Sequence, residues 1–210
     1  MKQEDTKQRI LACALELFSE RGYDAVGVGE IAAAVGIRAP SLYNHYPSKR
    51  AIFDAIVAET AARYERDTDR IHIHVQDVGR DTPEFAAITE DGLSARLRAL
   101  FLYSLHDETV RRFRRMMTIE QFRSLELAAL YSGRYVDRMV AYHAAMFRSF
   151  AAQGILRAAD PEALALLYVS PVITLLGLCD RQPEREPECL ARLDAHVRLF
   201  FRTYHLSEAE

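Results

Sequence analysis

The chain has 210 residues, half of them apolar, and a formal charge of −3 from 27 basic and 30 acidic side chains. That apolar content excludes a disordered chain, and the near balance of charge excludes a generally polybasic nucleic-acid binder. The sign is unevenly spread: residues 1–50 hold 7 Lys+Arg against 6 Asp+Glu, and no acid lies between Glu30 and Asp54, a stretch containing Arg38, His45, Lys49 and Arg50.

The opening MKQEDTKQR is polar and charged, so no signal peptide is expected. Ile10, Ala14, Leu17 and Phe18 make one apolar face and predict a first helix from about Thr6 to Arg21, with Gly22 and Tyr23 as its cap. Val28, Ile31, Ala32 and Val35 give a second helix ended by Gly36. A third, very short one opens at Pro40 and stops at Pro47. Ser48 is a good N-cap for a fourth, with Ile52, Phe53, Ile56, Val57, Thr60 and Tyr64 inward and its end near residue 70.

Residues 71–85, IHIHVQDVGRDTPEF, alternate like a strand but stand alone between helices and read as a connector. Its His72 and His74 have H-x-H spacing, which without converging carboxylates or His143 makes no metal site, so no metal or cofactor is expected. Further helices are predicted at about 90–105, 108–128 and 132–153, with a last pair near 161–179 and 188–205. Cys13, Cys179 and Cys189 lack C-x-x-C spacing and suit free thiols in a reducing cytoplasm. The uncharged run Ala163 to Cys179 contains Ser170, Pro171 and Thr174. It reads as a buried or subunit-interface helix rather than a membrane span, and no membrane partner is expected.

In the last pair, Leu164, Tyr168, Pro171, Leu175 and Leu178 alternate by four and three, as do Leu190, Leu193, Val197, Phe200 and Tyr204. A 3.5-residue period favours helices packed at a shallow angle, either as an intramolecular hairpin or as a two-fold four-helix interface between subunits. The spacing alone leaves both open.

Residues 28–46 have the make-up of a helix-turn-helix: Ala32 where the helices approach, Gly36 in the turn, and Ile31, Val35, Ile37 and Leu42 as the lock. The short second helix then carries a polar outer face. Tyr43, His45, Tyr46, Lys49 and the N-terminus at Ser48 are suited to phosphate, whereas Arg38, Ala39, Ser41 and Asn44 are placed for base edges, with Pro40 in the same turn.

The run VGEIAAAVGIRAPSLYNHYPSKRAIFDAIV resembles the N-terminal DNA-binding domain of the TetR/AcrR family of bacterial transcriptional regulators, with Ile31, Ala32, Gly36, Leu42, Tyr43, His45, Tyr46, Ser48 and Lys49 at the family's relative positions. The resemblance covers roughly residues 6–60. It implies an all-α fold with an N-terminal three-helix DNA-binding domain (1–48) and a C-terminal helical domain (49–210) that binds a small-molecule effector and dimerises. Residues 49–70 would be the linking helix and 161–205 the dimer helices. It further implies a cytoplasmic homodimeric regulator, expected to be a repressor, on a palindromic double-stranded operator. Gly27 and Gly29 depart from the family's polar residues and put contacts from the second helix in question.

In the C-terminal body, Arg111, Arg112, Arg114 and Arg115 stand beside Phe113, Met116, Met117 and Phe122. They read first as an exposed arginine face over a core, paired with Asp107, Glu108 and Glu120; the other reading is a site for an amphipathic or anionic effector, with Tyr103, His106, Tyr142, His143 and Phe147 as further lining. No Gly-rich phosphate loop, G-x-S-x-G elbow or H-E-x-x-H is present, and no catalytic residue is assigned. The alternative from another class is a helical interaction protein using the 40–49 surface, where a contiguous apolar stripe would be expected.

Overall fold

The computed structural model describes residues 2–69, 77–123 and 125–206, without the side chains of residues 2–4. Among these, the chain is all-α: α1 Lys2–Arg21, α2 Val28–Val35, α3 Ala39–Tyr43, α4 Lys49–Asp69, α5 Val78–Ala86, α6 Glu90–His106, α7 Glu108–Glu120, α8 Leu125–Ser132, a π-helical turn Gly133–Asp137, α9 Arg138–Ala152, α10 Pro161–Arg181, a 3-10 turn Pro183–Arg185 and α11 Glu186–Tyr204. The only extended pairing among the described residues is one isolated bridge, Leu156 to His205.

Two compact units emerge: residues 1–64 with 107–131, and residues 65–106 with 132–210. This grouping follows packing rather than the division at 48/49 expected from the sequence. In the first unit α7 lies against α1, so Phe113, Met116 and Met117 join Ile10, Ala14, Phe18, Ile31, Leu42, Ile52 and Phe53 in one core. Asp107 caps α7 by accepting from Val110 N–H at 3.0 Å and also takes the Arg63 guanidinium at 2.6 Å. In the second unit α10 packs on α9, α11 and α6 around Leu97, Phe101, Phe147, Tyr168, Val197 and Phe200. By length and composition α10 could cross a membrane; here it contributes Leu164, Ala165, Tyr168, Val169, Leu175 and Cys179 to this core.

Two expectations on the elements need amendment. Part of the connector is helical: Asp77 accepts from Arg80 N–H at 3.1 Å and starts α5, whose interior holds Pro83, a residue with no N–H to give the Gly79 carbonyl. His72 and His74 lie outside the described residues. The single helix expected over 108–128 is two, broken after Glu120, where the Arg123 N–H closes a turn on the Glu120 carbonyl at 2.9 Å. Cys13 is half-buried, while Cys179 and Cys189 are buried; all three are free thiols.

The α1–α2 corner shows how the first unit is fastened. Gly22 adopts φ +83°, and a Cβ there would stand 2.8 Å from Glu120 Oε1 and 2.5 Å from Arg123 Nη1. Glu120 is itself buried, accepting from the Tyr23 backbone N–H at 2.8 Å and from Arg123 Nη1 at 3.0 Å. Gly22→Ala therefore adds a left-handed strain and a steric conflict, and is expected to destabilise the unit by about 1–3 kcal/mol in a denaturant titration. Gly36→Ala, also at positive φ but with open space around its Cβ, is expected to show only the smaller strain.

Candidate nucleic-acid interface

The helix-turn-helix is set by α2, the turn at Gly36 and α3. Gly36 sits at φ 79°, ψ 30°; its N–H donates to Ala33 O at 3.0 Å and the Ile37 N–H to Ala32 O at 2.9 Å, the paired bonds of a Schellman cap that only a left-handed residue closes cheaply. Arg9 Nη2 donates to Val35 O at 2.6 Å, tying α1 to the same end. The start of α2 lacks a capping side chain, because Gly27 has none. Glu30 supplies the reciprocal half, its Oε2 accepting Gly27 N–H at 2.7 Å. That bond first, and the Arg21 guanidinium second, hold the Glu30 carboxyl below the usual carboxylate range. Gly29 is exposed with open space around it, so α2 presents no side chain at either departure from the family pattern.

α3 is five residues long, with Pro40 in its first turn and Leu42 wholly enclosed. Around that anchor, Arg38, Pro40, Ser41 and Asn44 are exposed, Tyr43 is 51% exposed, and Ala39, His45 and Tyr46 are half-buried. The sequence-assigned polar face of α3 is thus brought together on one surface. Burial first, and the Glu59 carboxylate second, push the Tyr46 phenol up, so it remains an O–H donor at neutral pH. His45 has its Nδ1 enclosed without a hydrogen-bond partner among the described residues.

Ser48 is the N-cap of α4, its Oγ accepting Ala51 N–H at 3.0 Å, and it is exposed. Lys49 is placed differently from expectation. Its ammonium donates to Tyr23 O at 2.8 Å and Val26 O at 3.0 Å and lies 4.2 Å over the Tyr23 ring. Of its three donors, two therefore stitch the α1–α2 loop to α4, and one is left to reach outward. Arg50, which sequence reasoning did not assign, points to Asp54 and Glu126.

The residues suggested for an effector fall into both units. Phe113 and Met117 are core residues of the first, and Phe122 is 90% exposed. Arg112 pairs with Glu108 at 2.8 Å and Glu16 at 3.3 Å, as the arginine-face reading expects, but Arg114 is buried and not part of an exposed face. In the second unit His106 faces Glu186 at 3.0 Å, and Tyr103 donates to Asp67 at 2.8 Å. Tyr142, His143 and Phe147 do meet: with Tyr168, His196 and Phe200 they form a contiguous ring cluster in which the two histidines are half-buried and the other rings buried, and the Tyr142 hydroxyl donates to the buried Asp81 carboxylate. An open groove of about 530 Å³ on this unit, lined by Arg98, Glu186, Pro187, Leu190, Ala191 and Asp194, contains none of the suggested residues.

The heptad-like seam faces inward. Leu164, Tyr168, Leu175, Leu190, Leu193, Val197 and Phe200 are buried in the chain's own core, and Pro171, Leu178 and Tyr204 are partly so. The outward faces of α10 and α11 instead expose Leu166, Leu167 and Leu199, which the spacing did not single out.

Residues 10–56 match the family model for bacterial regulatory proteins of the tetR family. The tetracycline repressor protein class D of Escherichia coli is 38% identical over 58 residues, which are 28% of this chain and 27% of that protein. The HTH-type transcriptional activator FasR of Mycolicibacterium smegmatis is 29% identical over 107 residues, 51% of this chain and 44% of that protein. The matches thus span from about a quarter to under half of these relatives' lengths. The fold extends further: SmeT, the repressor of the Stenotrophomonas maltophilia multidrug efflux pump SmeDEF, superimposes in its triclosan complex with a TM-score of 0.71 at 21% identity, covering 97% of this chain and 93% of that one. Residues 10–56 thus carry a helix-turn-helix domain of the tetR family model, and the helical architecture along nearly the whole chain is the fold of SmeT.

Proposed function

We propose that the protein is a cytoplasmic, ligand-responsive transcriptional repressor that binds a palindromic operator as a homodimer and leaves it when a small-molecule effector binds. The observation that carries this reading is α3: a five-residue helix held by one enclosed leucine, with Arg38, Ser41, Tyr43 and Asn44 outward and no acid in the sequence between Glu30 and Asp54. Such a surface fits a major groove, with hydroxyl and imidazole groups for phosphate and Arg38 and Asn44 for base edges. A contiguous apolar stripe, which a protein partner would require, is missing from these residues.

Two copies must set their α3 helices about one turn of DNA apart, ~34–36 Å, to fill both half-sites. Because the heptad-like seam is occupied within the chain, the surface we assign to the second copy is the outward one carrying Leu166, Leu167 and Leu199. For the effector we assign the second unit, near the aromatic cluster of Tyr142, His143 and Phe147. SmeT, which shares the fold, has been solved as a triclosan complex. The link to DNA is covalent: α4 is one helix from Lys49 to Asp69, with residues 49–64 in the first unit and 65–69 in the second. A ligand that displaces its end by a few ångströms alters the half-site spacing.

Selection of purified protein on a random duplex library tests the reading. A palindromic motif recovered by the wild type and lost with Tyr43→Ala is expected, whereas no enrichment at either low or high salt would move the protein to the interaction class. An effector that binds yet leaves operator affinity unchanged would refute the release mechanism.

A further inference from the structure

Arg50 stands two residues after the exposed Ser48 cap, in the first turn of α4, next to the residues assigned to phosphate. Its neighbour Lys49 turns its ammonium back onto the Tyr23 and Val26 carbonyls, so Arg50 is the first cation on α4 whose head group lies at the surface, 49% exposed. Each of its three nitrogens makes a hydrogen bond to a carboxylate. Nε donates to Asp54 at 2.7 Å, Nη1 donates to one Glu126 oxygen at 2.9 Å, and Nη2 donates to the other. Asp54 lies one turn on along the same helix, but Glu126 is on α8 and 76 residues away in sequence. The segment that the sequence shows as free of acid therefore acquires one in space, at its edge.

A fork of parallel N–H···O bonds is the geometry with which arginine also grips a phosphate, so carboxylate and phosphate compete for the same donors. Glu126 is 64% exposed, and exposed pairs of this kind add little stability and are readily exchanged. We propose that Arg50 is a further phosphate-contacting residue, and that Glu126 on α8 holds it in reserve and so sets DNA affinity. The pairing also raises the guanidinium's hold on its proton and keeps the Glu126 carboxyl below its ordinary range, consistent with a charged pair throughout the neutral pH range. The inference rests on the DNA-binding reading above.

The test is binding of a labelled operator duplex and of a scrambled duplex, by anisotropy, across about 50–200 mM salt. One extra phosphate contact steepens the plot of log K against log[salt] by about 0.9 and tightens binding by on the order of fivefold at 0.15 M salt. Glu126→Gln is expected to show both on both duplexes, Arg50→Ala alone to change little, and Arg50→Ala with Glu126→Gln to cancel the gain. Glu20→Gln, which removes an exposed acid on α1, controls for net charge and is expected to leave the slope unchanged. Wild-type behaviour of Glu126→Gln, an equal gain from Glu20→Gln, or weakened binding by Arg50→Ala alone would each overturn the reserve role. If the wild type binds and Tyr43→Ala weakens it while Glu126→Gln is silent, only this inference falls. If the wild type binds no duplex, the proposed function falls and this inference with it.

Discussion

Leu42→Ala is expected to abolish DNA binding although Leu42 touches no DNA, whereas Tyr43→Ala is expected to weaken it with the fold intact. A five-residue helix has no stability of its own, since nucleation alone outweighs its few hydrogen bonds. Its place is fixed from outside: Leu42 is fully enclosed, and its carbonyl accepts both the His45 N–H at 2.9 Å and the Tyr46 N–H at 3.0 Å. Truncating such a leucine removes about 2–5 kcal/mol through lost transfer energy and the cavity left behind. For a small unit this is a large share of the whole, so α3 loosens before the rest melts. Tyr43 is half-exposed, and its removal changes stability by no more than about 0.5 kcal/mol. A lost hydrogen bond to a charged phosphate costs about 1.5–3 kcal/mol, or roughly 10- to 100-fold in affinity. Circular dichroism melts and anisotropy titrations of both variants separate the two cases. Normal operator binding by Leu42→Ala would show that α3 is not positioned by its leucine.

The contrast between these two neighbours also marks what the sequence made legible. The helix-turn-helix reads out because its signals are local: Gly36 needs a left-handed turn, Pro40 and Pro47 bound a short helix, and Leu42 is the one aliphatic residue among polar ones. Directions of long side chains are not local. Lys49 and Arg50 look alike in sequence, yet one turns inward to two carbonyls and the other outward to Glu126, a choice made by chain that arrives 76 residues later. The 3.5-residue period in α10 and α11 marked real packing residues but could not say which partner they meet. They meet their own chain, and the face left over shows only Leu166, Leu167 and Leu199, too few to form a period. α5 was masked by a glycine, a proline and an alternation of polar and apolar residues, and starts only because Asp77 caps it. The π-helical turn Gly133–Asp137 left no sequence signal beyond Gly133.

Acidification from about pH 6.5 to 4 is expected to weaken the second unit through His143, and His143→Phe to remove that loss. The imidazole lies among the Tyr142, Phe147 and Tyr168 rings, and its Nδ1 is 2.8 Å from Met139 O. Facing a carbonyl, Nδ1 must carry a proton, and because burial disfavours the charged form the ring at neutral pH is the Nδ1–H tautomer. Burial pushes its pKa down to about 4, against which the Met139 hydrogen bond is the smaller influence. An unfolded chain protonates this histidine near pH 6.5. Between those values the unfolded state binds a proton that the folded state does not, so stability falls as pH falls, at about 1.4 kcal/mol per pH unit. The loss amounts to about 2 kcal/mol at pH 5 and levels off near pH 4; above pH 6.5 the residue contributes no pH dependence. Glu90, held at about 2 by Arg202 first and Arg198 second, titrates below this window and acts equally in both proteins. Phenylalanine keeps a ring in the cluster and cannot take up a proton. Urea unfolding at pH 7 and pH 5 is therefore expected to give a stability difference between the two pH values that is smaller in His143→Phe by about 2 kcal/mol. Parallel pH profiles would mean that the imidazole takes up its proton inside the folded cluster as readily as in water.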